Sequence, residues 1–283
     1  MNLFAGLEKF GLGQSGELDI TKEEPKKTAA TQTQAAEPKA LPKEADFLID
    51  KKMRCPICDK EFPIKSVATT RLKKLESDFD LRPNFAYIDQ LKYDAIFCPN
   101  CGYTAMTANF PKIEPARAKL IKQEISANFK PVREELRDTY SYEYAIEKMK
   151  LALVCCMAKK AKMSEKAYCC LKLAWLRRAQ LKKIEKAGDQ VNPELAQVAR
   201  QEYDAFYSQA YEGFLKAMET ETPPFNGIPS TSLEYMIVNM AVELGHLDVA
   251  GKLVSKLITN PNTPSALKDK CRDIKDEIAA KQQ

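Results

Sequence analysis

Two Cys-x-x-Cys turns, Cys55-Pro-Ile-Cys58 and Cys98-Pro-Asn-Cys101, constrain this chain more than any other feature. Each turn presents two sulfurs from one tight loop. Two such turns facing each other close a tetrahedron around Zn²⁺ at ~2.3 Å per bond. The flanking segments "DKKMRC", "EFPIKSV" and "KYDAIFC" are rich in β-formers and read as short strands. A four-thiolate site has no open position for water or substrate, so it stabilises a fold and does not catalyse.

Strand, knuckle, strand, twice over, is a zinc-ribbon-like arrangement, expected over residues 47–112 with one structural Zn²⁺ on Cys55, Cys58, Cys98 and Cys101. The 39 residues between Cys58 and Cys98 exceed the usual spacing, so the ribbon carries an insertion. "CPNCGY" also resembles a rubredoxin knuckle, in which a single iron sits in the same cage. Separate dithiol redox pairs are a third option, but such pairs normally open a helix in a βαβ setting, which is missing here.

The chain shows no signal peptide and no apolar run long enough for a membrane span, so a cytoplasmic protein is expected. In that reducing compartment its nine cysteines point to metal binding before disulfides. Residues 17–46, "ELDITKEEPKKTAATQTQAAEPKALPKEAD", have hardly any apolar anchors and read as a disordered linker. Ahead of it, in residues 1–16, Leu3, Phe4, Leu7 and Phe10 form one face of a short amphipathic helix, either a docking segment or a frayed terminus. "GLGQSG" spells GxGxxG, but without a preceding strand or a βαβ unit it is not a dinucleotide site.

Beyond Phe110 the periodicity is helical, with helices expected near 141–161, 163–186, 194–220, 230–244, 247–259 and 264–281. Short loops between them imply antiparallel neighbours. Residues 233–262 resemble a tetratricopeptide repeat: Gly245 at the inter-helix turn, Ala250, Val254 and Leu257 on the packing face, Pro261 at the end. The same triplet spacing recurs at Ala167, Leu171 and Ala174, and at Ala210, Phe214 and Ala217. The expected fold class is therefore mostly α: a short tetratricopeptide-like solenoid over 113–283, preceded by the small β-rich module and the linker.

Four further cysteines form adjacent pairs, Cys155-Cys156 and Cys169-Cys170, symmetric about a turn near 161–164. Cys155 would face Cys170 and Cys156 would face Cys169, as packing residues or as a second metal or redox site. Cys271 is alone, and His246 reads as a solvated turn residue.

Residues 159–186 hold ten Lys and Arg against Glu165 and Glu185. Lys159, Lys160, Lys162, Arg177, Arg178, Lys182 and Lys183 could face RNA or DNA phosphates, or they could be an ordinary solvated helix face. In the insertion, Asp78 and Asp80 among Phe79, Arg71, Arg82, Phe85 and Tyr87 suggest a ligand site or a loop held by internal ion pairs.

"MRCPICDKEF", "SDFD", "YDAIFCPNCGYTAMTANF" and "LKLAWLRRA", in this order, resemble an uncharacterised bacterial domain-of-unknown-function family over roughly residues 47–260. The resemblance implies CxxC metal knuckles, here Cys55, Cys58, Cys98 and Cys101, followed by tetratricopeptide-like helices. It implies no activity. The functional expectation is a non-catalytic, zinc-binding adaptor that takes a protein or peptide on its helical surface. The alternatives are an RNA- or ribosome-associated protein using 159–186, and an enzyme with a site around Asp78 and Asp80.

Overall fold

A computed structural model describes residues 41–134, 137–186 and 193–281. The expectations for residues 1–40, the short amphipathic segment and most of the linker, lie outside the described residues. Residues 44–47, at the expected linker's end, form a 3-10 turn, and the Glu44 carboxylate accepts from Lys92 Nζ at 2.8 Å and Tyr93 Oη at 2.6 Å. The folded body therefore starts a few residues before the expected boundary.

Each knuckle is the turn of a hairpin. β1 (Leu48–Arg54) pairs antiparallel with β2 (Glu61–Val67), in register from Leu48 opposite Val67 to Arg54 opposite Glu61. β3 (Ala95–Phe97) pairs with β4 (Thr104–Met106), Phe97 opposite Thr104. Two-stranded sheets are marginal alone, and these lean on helices. α1 (Pro115–Ile121) begins with Pro at its first turn, where a missing N–H costs nothing, and runs into a π turn, Lys122–Ser126. Ile121 of α1 and Cys155 and Ala158 of α2 (Tyr142–Ala158) join the hairpins' core around Tyr103 and Phe110.

The rest is helical, as expected: α3 (Met163–Lys186), α4 (Pro193–Thr220), α5 (Ser230–Glu243), α6 (Leu247–Thr259) and α7 (Ser265–Lys281). The chain is mostly α with a small β module. α2 runs antiparallel to α3, since Glu143 meets Gln180 at one end and Lys159 meets Glu165 at the other. α3 runs antiparallel to α4, with Arg177 on Glu202 and Ser164 on Glu221. They approach so closely that a Cβ on Gly213 would stand 2.9 Å from the Ala167 Cβ. In α5 every residue from Leu233 to Ala241 is buried, which suits a helix apolar nearly all round. Gly245, at φ +80°, turns the chain from α5 into α6, and exposed His246 stacks on Tyr211. No helix among the described residues is long and apolar enough to cross a membrane.

All three triplets are buried, each residue at 2% exposure or less. The first two lie on consecutive helices, α3 and α4, that pack on each other. Their spacing therefore marks facing helix surfaces rather than successive hairpins. Only the third follows a glycine turn between paired helices.

The insertion is tied to the helices through Asp80, which has no exposed surface. It accepts from Trp175 Nε1 at 2.8 Å, from Arg178 at 2.8 and 2.9 Å, and from Tyr207 Oη at 3.3 Å. Asp78 accepts from Arg178 at 2.9 Å and Asn84 at 2.7 Å, and the Arg178 guanidinium lies over the Phe79 ring. Burial pushes the Asp78 carboxyl up, but the Asn84 hydrogen bond and the Arg178 charge hold it below its usual value. Burial likewise opposes the Arg178 charge, and Asp80 overcomes it. These carboxylates are engaged in internal ion pairs, the second of the two readings the sequence allowed for the insertion.

Removing one partner of such a pair leaves a buried charge alone. We expect Asp80→Ala to cost about 3–5 kcal/mol in urea denaturation, and Asp80→Ala with Arg178→Leu to cost less than the single change. Equal losses in both would show that the pairing is not what holds the insertion.

Candidate metal centre

The two knuckles are built alike. Cys55 N donates to Lys60 O and Asp59 N to Cys55 O; Cys98 N donates to Tyr103 O and Gly102 N to Cys98 O. The residue after each second cysteine turns the backbone left-handed, Asp59 at φ +63° and Gly102 at φ +77°. Asp59 also forms an exposed, forked ion pair with Arg54. Gly102 is required on a second count, because a Cβ there would stand 2.6 Å from the Phe129 ring.

All four sulfurs lie within 4.8 Å of one another. Cys55 Sγ is 3.6 Å from Cys101 Sγ, and Cys58 Sγ is 3.6 Å from Cys98 Sγ. Both short contacts run between the knuckles. A regular tetrahedron with bonds of ~2.3 Å has edges of about 3.8 Å. The cluster can thus hold one metal ion, and the crossed pairing disfavours two separate dithiols.

Burial surrounds this cluster. Cys55 and Cys98 have no exposure, Cys101 has 6%, and Cys58 is half-buried. Hydrogen bonds from Cys101 and Cys55 hold the Cys98 thiol down at about 2, helped by the Asn100 and Cys101 amides. At Cys55 the Cys101 contact lowers the thiol, while Cys98 and burial outweigh it, to about 12. Hydrogen bonds with Cys55 and Cys98 also push Cys101 up. Metal binding at such a quartet displaces whatever protons the sulfurs carry.

A fifth cysteine stands behind the second knuckle. Cys155 Sγ of α2 accepts from Thr104 N at 3.3 Å and faces Gly102 O at 3.7 Å. This corrects the expected pairing of Cys155 with Cys170. Adjacent helical residues point about 100° apart, so only one of each pair can face the neighbouring helix. Cys156 and Cys169 do meet, at 3.8 Å, beside the Lys159–Glu165 ion pair. Nothing in the sequence pattern pointed Cys155 at the second knuckle or Phe129 at Gly102, since both contacts are long-range packing.

The basic stretch is largely internal. Lys159 pairs with Glu165, Arg177 with Glu202, Arg178 with Asp78 and Asp80, and Lys172 with Asp94. A continuous phosphate-facing surface along 159–186 is therefore not present, because the middle of α3 is core. Lys160 and Lys162 stay exposed at one end, and Lys182 and Lys183 at the other.

The family model described as "Uncharacterized protein conserved in bacteria (DUF2225)" matches residues 48–278. No curated protein and no solved structure matches the chain.

Two of the positive-φ glycines, Gly245 and Gly102, separate backbone strain from crowding. Gly245 has open space where a Cβ would go, whereas Gly102 does not. We expect Gly245→Ala to cost about 1–2 kcal/mol. Gly102→Ala should add a clash of about 1–3 kcal/mol, read as a larger fall in urea midpoint at unchanged slope.

Proposed function

The chain belongs to this family of uncharacterized bacterial proteins, and from that premise we propose that it is a non-catalytic adaptor with one structural zinc. The zinc would sit on Cys55, Cys58, Cys98 and Cys101. It would hold the two hairpins against α1 and α2, and the helices would present a surface to a protein segment. The near-tetrahedral spacing of the four sulfurs supports the zinc, and the burial of three of them, with Cys58 half-buried, favours a structural role over a reactive one. Iron in the same cage would give a coloured protein.

The observation that carries the binding reading is an apolar groove of about 570 Å³ between α2, α3 and α4. Leu153, Met157, Met163 and Phe206 line it, and Ala167 and Gly213, small enough for α3 and α4 to close up, form its floor. Met157 is 59% exposed, a large apolar surface with no internal use. Methionine side chains adapt to varied apolar partners. Lys166 lies in the groove and Lys160 and Lys162 in the turn between Met157 and Met163, against one lining acid, Glu212. The fitting occupant is an amphipathic peptide helix with apolar anchors and acidic flanks. The tetratricopeptide-like hairpin α5–α6 would support the surface from behind.

Two measurements test this. Elemental analysis should find one zinc per chain, and Cys98→Ser should lose both the metal and the fold of the hairpins, because a structural site contributes ~10 kcal/mol or more to folding. A folded, metal-free protein would remove zinc from the account. For the groove, Phe206→Glu and Met157→Glu should keep the zinc but release a protein partner that co-purifies with wild type after nuclease treatment. Retention of that partner by both variants would place the interaction elsewhere.

A further inference from the structure

At the other end of α3, far from the groove, the insertion and the helix enclose a cleft of about 450 Å³. We propose that this cleft binds a nucleoside phosphate, its phosphates on Lys182, Lys183 and Lys186 and its base against Tyr87. The adaptor reading is not a premise of this proposal.

Charge is the first argument. The only carboxylates among the lining residues are Glu44 and Asp89. Both are already engaged: Glu44 by Lys92 at 2.6 Å, and Asp89 by Arg82 at 2.7 Å and Tyr142 at 3.0 Å. Lys182, Lys183 and Lys186 line the facing wall and form no salt bridge among the described residues. Lys182 and Lys186 are four apart on one helix, where like charges repel. An anion of several charges relieves that repulsion. Arg82, 8% exposed, also keeps its Nε without a hydrogen-bond partner.

Cations at a helix C-terminus are favourable in their own right, so the lysines alone mark no ligand. Tyr87 is the second, independent observation. Its backbone stands at φ +67°, a conformation that a bulky residue rarely adopts. One face of its ring stacks on Phe47, yet the residue remains 52% exposed at the cleft. The open face of the ring is where a base would stack, since aromatic rings and guanidinium or ammonium groups together form the usual platform for a nucleotide.

Size and continuity select a small ligand. The volume suits one nucleotide. The bases that would extend a track along α3, Arg177, Arg178, Lys172 and Lys159, are closed in internal pairs. A duplex or a long single strand would find no continuous path.

Equilibrium dialysis of the full chain against ATP, UTP, inorganic pyrophosphate and a 5′-phosphorylated ten-nucleotide RNA tests the site. We expect one ATP per chain, with affinity falling as salt rises. The triple variant Lys182→Gln, Lys183→Gln, Lys186→Gln should weaken ATP and pyrophosphate by about tenfold or more. Tyr87→Ala should weaken ATP by about tenfold and leave pyrophosphate unchanged. Lys160→Gln with Lys162→Gln, and Phe206→Glu, should change neither, which separates failure here from failure of the groove. Folding of each variant is checked by circular dichroism. If RNA binds no tighter than ATP, the ligand is a free nucleotide; if it binds through its 5′ end in the same variant pattern, the same chemistry comes from an RNA terminus. Absence of ATP and RNA binding by folded wild type, indifference to the triple variant, or equal loss of ATP and pyrophosphate in Tyr87→Ala would each overturn the proposal.

Discussion

The carboxylate of Asp80, with no exposed surface, is the interaction on which the arrangement of this protein turns. It lies in the segment between the two knuckles and accepts hydrogen bonds from α3 and α4 at once. A charge removed from water must find complete compensation, and Trp175, Arg178 and Tyr207 supply it. The net contribution of such a pair to stability is smaller than its distances suggest, because desolvation offsets most of the attraction. Its stronger effect is on register. A slip of the insertion by one residue would put Phe79 or Leu81 where the Asp80 carboxylate stands and strand the guanidinium. The insertion is therefore seated in one position, and the cleft walled by Arg82 and Tyr87 owes its shape to that seating.

The four-sulfur cluster plays the corresponding part for the hairpins. β3 and β4 are three residues each, too short to persist as an isolated pair. They are held from two sides. One is the crossed contact of Cys55 with Cys101 and Cys58 with Cys98, which joins the second hairpin to the first. The other is α2, whose Cys155 accepts from Thr104 N and whose Ala158 lies in the same core. Module and helices thus share one interior, with Ile121, Cys155 and Ala158 on the helical side. A metal bound in the cage would stabilise the contact with α2 as well as the two turns.

The sequence made local features legible and left long-range ones hidden. The knuckles, their flanking strands and the helices could be read because each depends on spacing within a few residues. Gly245 at a turn was readable for the same reason. The Cys156–Cys169 contact followed from two helices folding back about a short turn. Cys155 did not follow, because its partner Thr104 lies 51 residues away in another element. The basic run 159–186 misled most. Composition counts charges without saying which ones face inward, and Arg177 and Arg178 find Glu202 and Asp80 only after α4 and the insertion close over α3. The segments "SDFD" and "LAWLRRA" stand far apart in the sequence, yet Asp80 of one bonds Trp175 and Arg178 of the other.

That closure divides α3 into three parts. Its first turns border the apolar groove, its middle is core, and its last turns carry Lys182, Lys183 and Lys186 into the cleft. At 1.5 Å per residue, the roughly twenty residues from Met163 to Lys183 span about 30 Å. The Debye length at physiological salt is about 8 Å, so charge bound at one end is screened from the other. Electrostatics therefore cannot link an anion in the cleft to an occupant of the groove. Any link between them must pass through the packing of α3 itself; its middle is fixed by Asp80, and its first turns by the close approach of Ala167 to Gly213. A rigid helix with two differently equipped ends favours two independent surfaces over a switch.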